Sequence, residues 1–178
     1  MDSSAMELFL SKDNISKHRE YTETLRCKHS VMEKSIPEIA GKTPLEIYRM
    51  SLKRSVKCEI LPLLINYHSH LTFFDSFAKN DVRHPAIKRY FSSEDDFCYR
   101  ALEYAKGIEY GFLYVYKDRR GNIKFASSGE NNGMYLTTMP LLALDVCEHA
   151  YFADYGYRKE EYLKAAVARL DIAKLLSE

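Results

Sequence analysis

The 178 residues suffice for one domain or for two small lobes that share an interface, and a 46% apolar content can form a hydrophobic core. This composition excludes a disordered chain. The 26 lysines and arginines balance 25 acidic residues, so a net charge near +1 gives no general reason to bind nucleic acid or an anionic membrane.

Cysteine spacing and hydropathy indicate the cellular compartment. The four cysteines contain no C-x-x-C pair, so they indicate neither a zinc knuckle nor a disulfide framework. The acidic N-terminus has too short an apolar run for a signal peptide, and no apolar stretch approaches bilayer length. We therefore expect a soluble, cytoplasmic protein whose four thiols are reduced: Cys27, Cys58, Cys98 and Cys147.

The first predicted element is a helix from about Asn14 to Ser35. Ser11 or Asp13 can cap its start, and apolar residues recur along it at helical spacing. His18 lies in its first turn. A single histidine on a helix is more often a surface or core residue than a metal ligand, so this helix does not identify a site by itself.

A second helical region follows. Thr43 can cap and Pro44 can begin a helix over about residues 45–50. The helical pattern continues, with a break between the two parts, over residues 56–77. Pro62 inside this stretch marks a kink or a helix start rather than the middle of a helix.

Two histidines of this region, His68 and His70, compete for a functional role. Residues four positions apart share a helix face. His70 shares its face with Asn66, whose amide could reach a metal-bound solvent, and with Phe74, whose ring could shield a site. His68 has a leucine and a threonine at those positions. The spacing alone leaves both histidines open as candidates.

A turn over residues 80–85 is predicted to separate an N-terminal helical hairpin, residues 1–80, from a C-terminal α/β lobe, residues 81–178. Ser93 can cap a helix that runs to about Tyr110. Beyond it, FLYVYKD and IKFASS flank a turn at residues 119–122, which predicts a β-hairpin.

The segment DVCEHAYFADYGYRKEEY places a carboxylate and an imidazole, Asp145 and His149, four residues apart between apolar and aromatic residues. A buried ionised carboxylate without a partner is strongly disfavoured, so Asp145 needs a cation, an ion pair or several donors. These two side chains are therefore candidate metal ligands.

PLLALDVCEHAYFADY resembles the C-terminal metal-binding segment of the iron/manganese superoxide dismutase family, in which the aspartate and histidine of D-V-x-E-H-A-Y both bind the metal. YGFLYVYKDRRGNIKFASSGENNGMYLTTMPLLALDV follows the order of strands and loops in that family, and LSKDNISKH resembles its first helix. The resemblance implies an α+β fold: an N-terminal α-helical hairpin, then a C-terminal α/β lobe with a three-stranded antiparallel sheet and flanking helices.

The resemblance also implies function. The family has an amide and bulky aromatic rings near its second ligand histidine, so the resemblance favours His70 and keeps His68 as the alternative. Metal ligands would be His18, His70, Asp145 and His149, and this mixed nitrogen and oxygen set suits iron or manganese without choosing between them. The activity would be one-electron cycling of that ion, converting superoxide to oxygen and hydrogen peroxide. A homodimer is implied as well, in which Glu148 reaches across a twofold interface.

Further roles follow from the same resemblance. The amide that contacts a metal-bound solvent is expected from Asn66 or Asn132, and the sequence leaves this choice open. Lys159, or Arg158 beside it, can supply the basic residue that draws an anion into the substrate funnel, and Arg26 can do the same.

The chain also departs from the family. It has no tryptophan, and Cys147 occupies a typical tryptophan position. The family places a gate histidine and tyrosine four and eight residues after its first ligand, where this chain has Thr22 and Arg26, and Phe152 replaces a further tyrosine. We interpret this as removal of the gateway as a unit. The alternative function is therefore a superoxide dismutase-like non-catalytic binding or structural protein.

Overall fold

A computed structural model describes residues 4–53, 60–78, 84–128 and 139–176. These residues contain seven α-helices and a three-stranded sheet, and this order confirms the α+β class. The elements are α1 (Lys12–Ser35), α2 (Pro44–Leu52), α3 (Leu61–Asp75), α4 (Glu94–Lys106), β1 (Phe112–Lys117), β2 (Ile123–Ser128), β3 (Leu142–Asp145), α5 (Glu148–Tyr155), α6 (Lys159–Val167) and α7 (Ala173–Leu176).

Helix α1 begins at Lys12 because Ser11 caps it: the Ser11 side chain accepts a hydrogen bond from the Asn14 N–H. Its buried face includes Asn14, His18 and Leu25, which recur at helical spacing. His18 therefore points into the molecule.

The second predicted helical region is two helices. Thr43 and Glu46 form a reciprocal capping box at the start of α2. Pro62 lies in the first turn of α3, so it marks a helix start and not a kink. The predicted residues 56–59 lie outside the described part of the chain.

The sheet has the strand order β2-β1-β3, and both pairings are antiparallel. At the predicted hairpin turn, the Asp118 carboxylate accepts hydrogen bonds from the N–H groups of Arg120 and Asn122, and Gly121 adopts φ 79°. The central strand β1 pairs Phe112 with Asp145, which fixes the carboxylate at the end of β3.

One predicted helix bound was wrong. Helix α4 ends at Lys106, not near Tyr110. At Gly107 the α-helical bonding gives way to a 3₁₀-type bond, in which the Gly107 N–H donates to the carbonyl of Tyr104, three residues earlier. The C-terminal stretch forms two helices, α6 from Lys159 and, after a break, α7.

The end of α3 is tied to β3 and to the C-terminal stretch through Ser76. Its hydroxyl accepts a hydrogen bond from the Ala143 N–H (2.7 Å), and its carbonyl accepts one from the Asp171 N–H (2.8 Å). These bonds fix the helix of His70 relative to Asp145. The predicted lobe boundary at residue 80 falls outside the described residues, so the division into two lobes stays a prediction. No described helix is long and apolar enough to cross a bilayer.

Candidate metal centre

Four side chains from four elements converge on one point. His18 comes from α1, His70 from α3, Asp145 from the end of β3 and His149 from α5, and one ligand atom of each lies within 4.8 Å of all the others. His68 is not in this group; its ring packs near His29 and Tyr67 instead.

One carboxylate oxygen is the centre of the cluster. The Nε2 atoms of His149, His18 and His70 lie 2.9, 3.3 and 3.5 Å from Asp145 Oδ2. The Asp145 Oδ1 atom accepts a hydrogen bond from the Cys147 N–H (2.9 Å). Burial acts to raise the pKa of Asp145, but its close contacts and charge attraction with His149 and His18 outweigh burial and hold the pKa well below its usual value.

The cluster leaves buried polar atoms unsatisfied. Within the described chain, neither Asp145 Oδ2 nor either ring nitrogen of His18 makes a hydrogen bond of acceptable geometry, although both side chains are fully buried. Leaving such atoms unpaired costs about 1–3 kcal/mol each. A cation among them would satisfy Asp145 Oδ2 and His18 Nε2, and nitrogen plus oxygen ligands suit a first-row transition metal.

His70 is oriented by its own helix. The Nδ1 atom lies 2.8 Å from the Asn66 carbonyl oxygen, which can only accept, so Nδ1 carries the proton and Nε2 presents a lone pair to the cluster. Burial lowers the pKa of His70 to about 4, so the imidazole is neutral near pH 7 and is able to bind a metal.

Aromatic rings close the inner side of the cluster. Phe73 and Phe74 pack against the His18 ring with centroid distances of 4.9 and 5.2 Å, and Phe112 packs against His70 at 5.1 Å. Phe74 therefore shields the site through His18 rather than through His70, with which it shares a helix face.

The outer side of the cluster is formed by His149 and by a residue that sequence reasoning missed, Tyr21. Of the four clustered side chains only His149 is exposed, at 37%. The Tyr21 ring lies 5.1 Å from the His70 ring and 5.2 Å from the His149 ring. Tyr21 follows His18 by three residues, a spacing that places two side chains on one helix face, so the sequence did carry a signal for it.

The amide of Asn66 contacts Tyr21: its Nδ2 donates to the Tyr21 hydroxyl at 3.2 Å. Asn132 lies outside the described residues. The choice between these two amides as solvent contact therefore stays open.

Thr22 and Arg26, which occupy the two positions where the family has its gate residues, make contacts with their own helix. The Thr22 hydroxyl donates to the His18 carbonyl of its own helix (2.9 Å). The Arg26 guanidinium forms a fork with the exposed Glu23 carboxylate. Phe152 is 44% exposed and packs against Tyr157, at a centroid distance of 5.3 Å.

The other predicted residues surround α5. Lys159 Nζ donates to the carbonyl oxygens of Ile108 (2.8 Å) and Glu109 (3.1 Å), and burial lowers its pKa. Arg158 bonds to Glu161. Glu148 is exposed and makes no hydrogen bond or ion pair with a described residue. The funnel and dimer roles of these residues stay predictions.

Asn14 is a second residue that sequence reasoning missed. It is 2% exposed, and its amide donates to the Ala150 carbonyl (3.2 Å) and to Asp154 Oδ2 (3.0 Å). The Ser11 N–H donates to the same Asp154 oxygen (2.8 Å). These bonds join α1 to α5 and so fix His18 relative to His149.

One comparison with known proteins bears on this site. A family model described as iron/manganese superoxide dismutases, C-terminal domain, matches residues 79–176, more than half of the chain. The matched residues include Asp145 and His149. The helices that carry His18 and His70 precede the match, and their place in the cluster comes from the structure alone.

Proposed function

Because the chain belongs to the iron/manganese superoxide dismutase family, we propose that it is a superoxide dismutase. The observation that carries this proposal is the convergence of three imidazoles on a buried carboxylate oxygen that has no hydrogen bond among the described residues. His18, His70, Asp145 and His149 would hold iron or manganese. When bound, such an ion supplies the one-electron redox chemistry that converts superoxide to oxygen and hydrogen peroxide.

The surrounding residues would prepare this site. The Asn66 carbonyl keeps the proton of His70 on Nδ1, and Cys147 holds one oxygen of Asp145 so that the other faces the three imidazoles. Phe73 and Phe112 keep water from the inner side. Superoxide would therefore approach from the side of His149. Its negative charge would be drawn there by Lys159, because Arg26 is already neutralised by Glu23.

A homodimer is the assembly that we propose. Its support is the exposed surface around α5: Glu148 has no ion pair in the described part of the chain, and Phe152 and Tyr157 are 44% and 94% exposed. In a twofold dimer Glu148 would face the partner subunit and these rings would be buried. Light scattering would show a dimer that Glu148→Ala weakens; a wild-type monomer at all concentrations contradicts it.

We also propose the cytoplasm as the compartment. The described cysteines Cys27, Cys98 and Cys147 form no disulfide with one another, as a reducing compartment favours. Thiol titration of freshly isolated protein would test this assignment, which a disulfide between any two cysteines would contradict.

The deciding experiment compares two histidines of one helix. Protein purified without added metal is analysed for iron and manganese and assayed for superoxide removal, as wild type, His70→Gln and His68→Gln. We expect stoichiometric metal and activity in the wild type and in His68→Gln, and loss of both in His70→Gln. His149→Ala should behave like His70→Gln. A wild type that is metal-free and inactive would instead favour the non-catalytic binding or structural protein.

A further inference from the structure

A cavity between α4, β2 and residues 89–91 has no role in the proposed function. Its volume is about 660 Å³, within the range of roughly 300–1,000 Å³ that is typical of small-molecule sites. The described residues that line it include none of the four clustered side chains and none of the rings that pack against them. We propose that this cavity binds a mononucleotide, with the base against its aromatic rings and the phosphate against two of its cations.

The aromatic part of the lining supports binding of the base. Tyr99 and Tyr104 of α4 and Phe125 of β2 line the cavity. The Tyr104 and Phe125 rings lie 5.9 Å apart, and Phe125 also packs on the buried ring of Phe97, so the core fixes this pair. Tyr99 and Tyr104 are nevertheless 64% and 41% exposed. A flat ring seated in the cavity would cover them, and stacking on aromatic side chains is how proteins commonly hold a nucleobase.

Two cations of the lining, Arg89 and Lys124, support binding of the phosphate. Both are exposed, and neither makes a hydrogen bond or an ion pair with a described residue. Lys124 acts on the Asp118 carboxylate only through its charge. Each cation is therefore available to an anionic ligand.

The other charged residues of the lining are neutralised in pairs. The Arg100 guanidinium donates to Asp96 (2.8 Å) and lies over the Phe91 ring, 5.8 Å from its centroid. The Glu103 carboxylate pairs with Lys106 at 2.9 Å. Two positive charges therefore remain uncompensated around the cavity. A phosphate monoester carries about 1.5–2 negative charges near pH 7, which matches them better than the single charge of a carboxylate.

The charge of the whole chain favours one nucleotide over a nucleic acid strand. A protein that binds a strand presents positive charge along the path of the backbone. Here 26 basic residues balance 25 acidic ones, and the uncompensated charge at the cavity is local. A single phosphate therefore suits this site.

Titration calorimetry of the full chain tests the two halves of the site separately. Adenosine monophosphate carries both halves, whereas adenosine lacks the phosphate and inorganic phosphate lacks the base. We expect the monophosphate to bind at least about tenfold more tightly than either fragment, since each fragment loses one set of contacts. Fragments that bind as tightly as the monophosphate contradict the proposal.

Variants then assign the contacts. Arg89→Ala and Lys124→Ala should each weaken binding of the monophosphate about fivefold and leave binding of adenosine unchanged. Tyr99→Ala should weaken both about tenfold. The matched controls are Lys88→Ala and Tyr110→Ala, which remove an exposed cation and an exposed tyrosine that do not line the cavity. Both controls should bind as the wild type does.

Three results would overturn the assignment. The first is no binding of the monophosphates of adenosine, guanosine, cytidine or uridine. The second is an equal loss of affinity in the lining variants and their matched controls. The third is a short single-stranded oligonucleotide that binds more than about tenfold more tightly than the monophosphate, because the ligand would then be a strand. Metal content and superoxide removal should be the same in all these variants, so the cavity and the proposed function succeed or fail separately.

Discussion

At the scale of single residues, His68 shows how burial controls a histidine outside the metal centre. It lies half-buried beside His29 and Tyr67, and the negative charge of Glu33 acts to raise its pKa. Burial, with a smaller contribution from the charge of His29, lowers the pKa of His68 to about 4. A histidine with a lowered pKa stabilises the fold above the pKa of the unfolded chain, near 6.5, and this stabilisation is lost as the pH falls toward 4.

We therefore expect metal-free wild type to lose stability between pH 7 and pH 4.5, with about 2 kcal/mol of the loss due to His68. Urea denaturation at both pH values would measure it. His68→Gln should lose about 2 kcal/mol less than the wild type over this interval, and an equal loss in both proteins would contradict the shift. Lys17→Gln, a change on the exposed surface of α1, is the control and should follow the wild type.

Residues of the candidate centre were predictable where the pattern that indicates them lies within a single helix. The resemblance, with an amide and an aromatic ring four residues from the ligand, favoured His70 over His68, and the structure brings His70 to Asp145. The same spacing suggested that Phe74 shields His70, but Phe74 packs on His18 because α1 lies against that side of α3. Asn14 and Tyr21 were missed since their partners lie on α5 and α3, and contacts between distant segments are not visible in a local pattern.

At the scale of elements, the attachment of α1 to α5 sets the distance between His18 and His149. Asn14 makes two hydrogen bonds to α5, a buried one to the Ala150 carbonyl and a part-buried one to Asp154. Asn14→Ala removes both and leaves the Ala150 carbonyl without that donor, so it should lower the free energy of unfolding by about 1–3 kcal/mol. It should also weaken metal binding, because two ligands are then held less firmly.

Chemical denaturation and metal titration would measure these two effects. Asp13→Ala is the matched control, because Asp13 is the preceding residue and only pairs with Lys17 on the surface. Such exposed pairs contribute about 0–1 kcal/mol. If Asn14→Ala and Asp13→Ala are equally stable and bind metal equally well, the attachment does not organise the site.

The starts and ends of the helices show which features of the fold can be predicted from neighbouring residues in the sequence. The starts of α1, α2 and α4 were predictable because Ser11, Thr43 and Ser93 cap their own helices. The break between α6 and α7 was not, since no glycine or proline marks it. There the backbone leaves helical bonding to pair with the end of α3: the Ala78 N–H donates to the Arg169 carbonyl, and the Asp171 N–H donates to the Ser76 carbonyl.

At the scale of the whole molecule, the candidate ligands join distant parts of the chain. His18 and His70 precede the start of the family match at residue 79, and Asp145 and His149 lie within it. A bound metal would therefore connect the N-terminal helices to the sheet and α5. Because the unfolded chain does not preform this site, metal binding should appear as folding stability.

Iron or manganese at a hundred times its dissociation constant should raise the free energy of unfolding by about 2.7 kcal/mol, and a chelator should reverse the gain. Thermal unfolding of wild type and His149→Ala, each with metal and with chelator, measures the effect. His149 is the exposed ligand, so His149→Ala should fold without metal and show a much smaller shift. An equal shift in His149→Ala would mean that the ion binds elsewhere. No shift in the wild type would mean that the unpaired atoms of Asp145 and His18 are satisfied without a metal. The chain would then be a family member that keeps the fold but does not bind the metal.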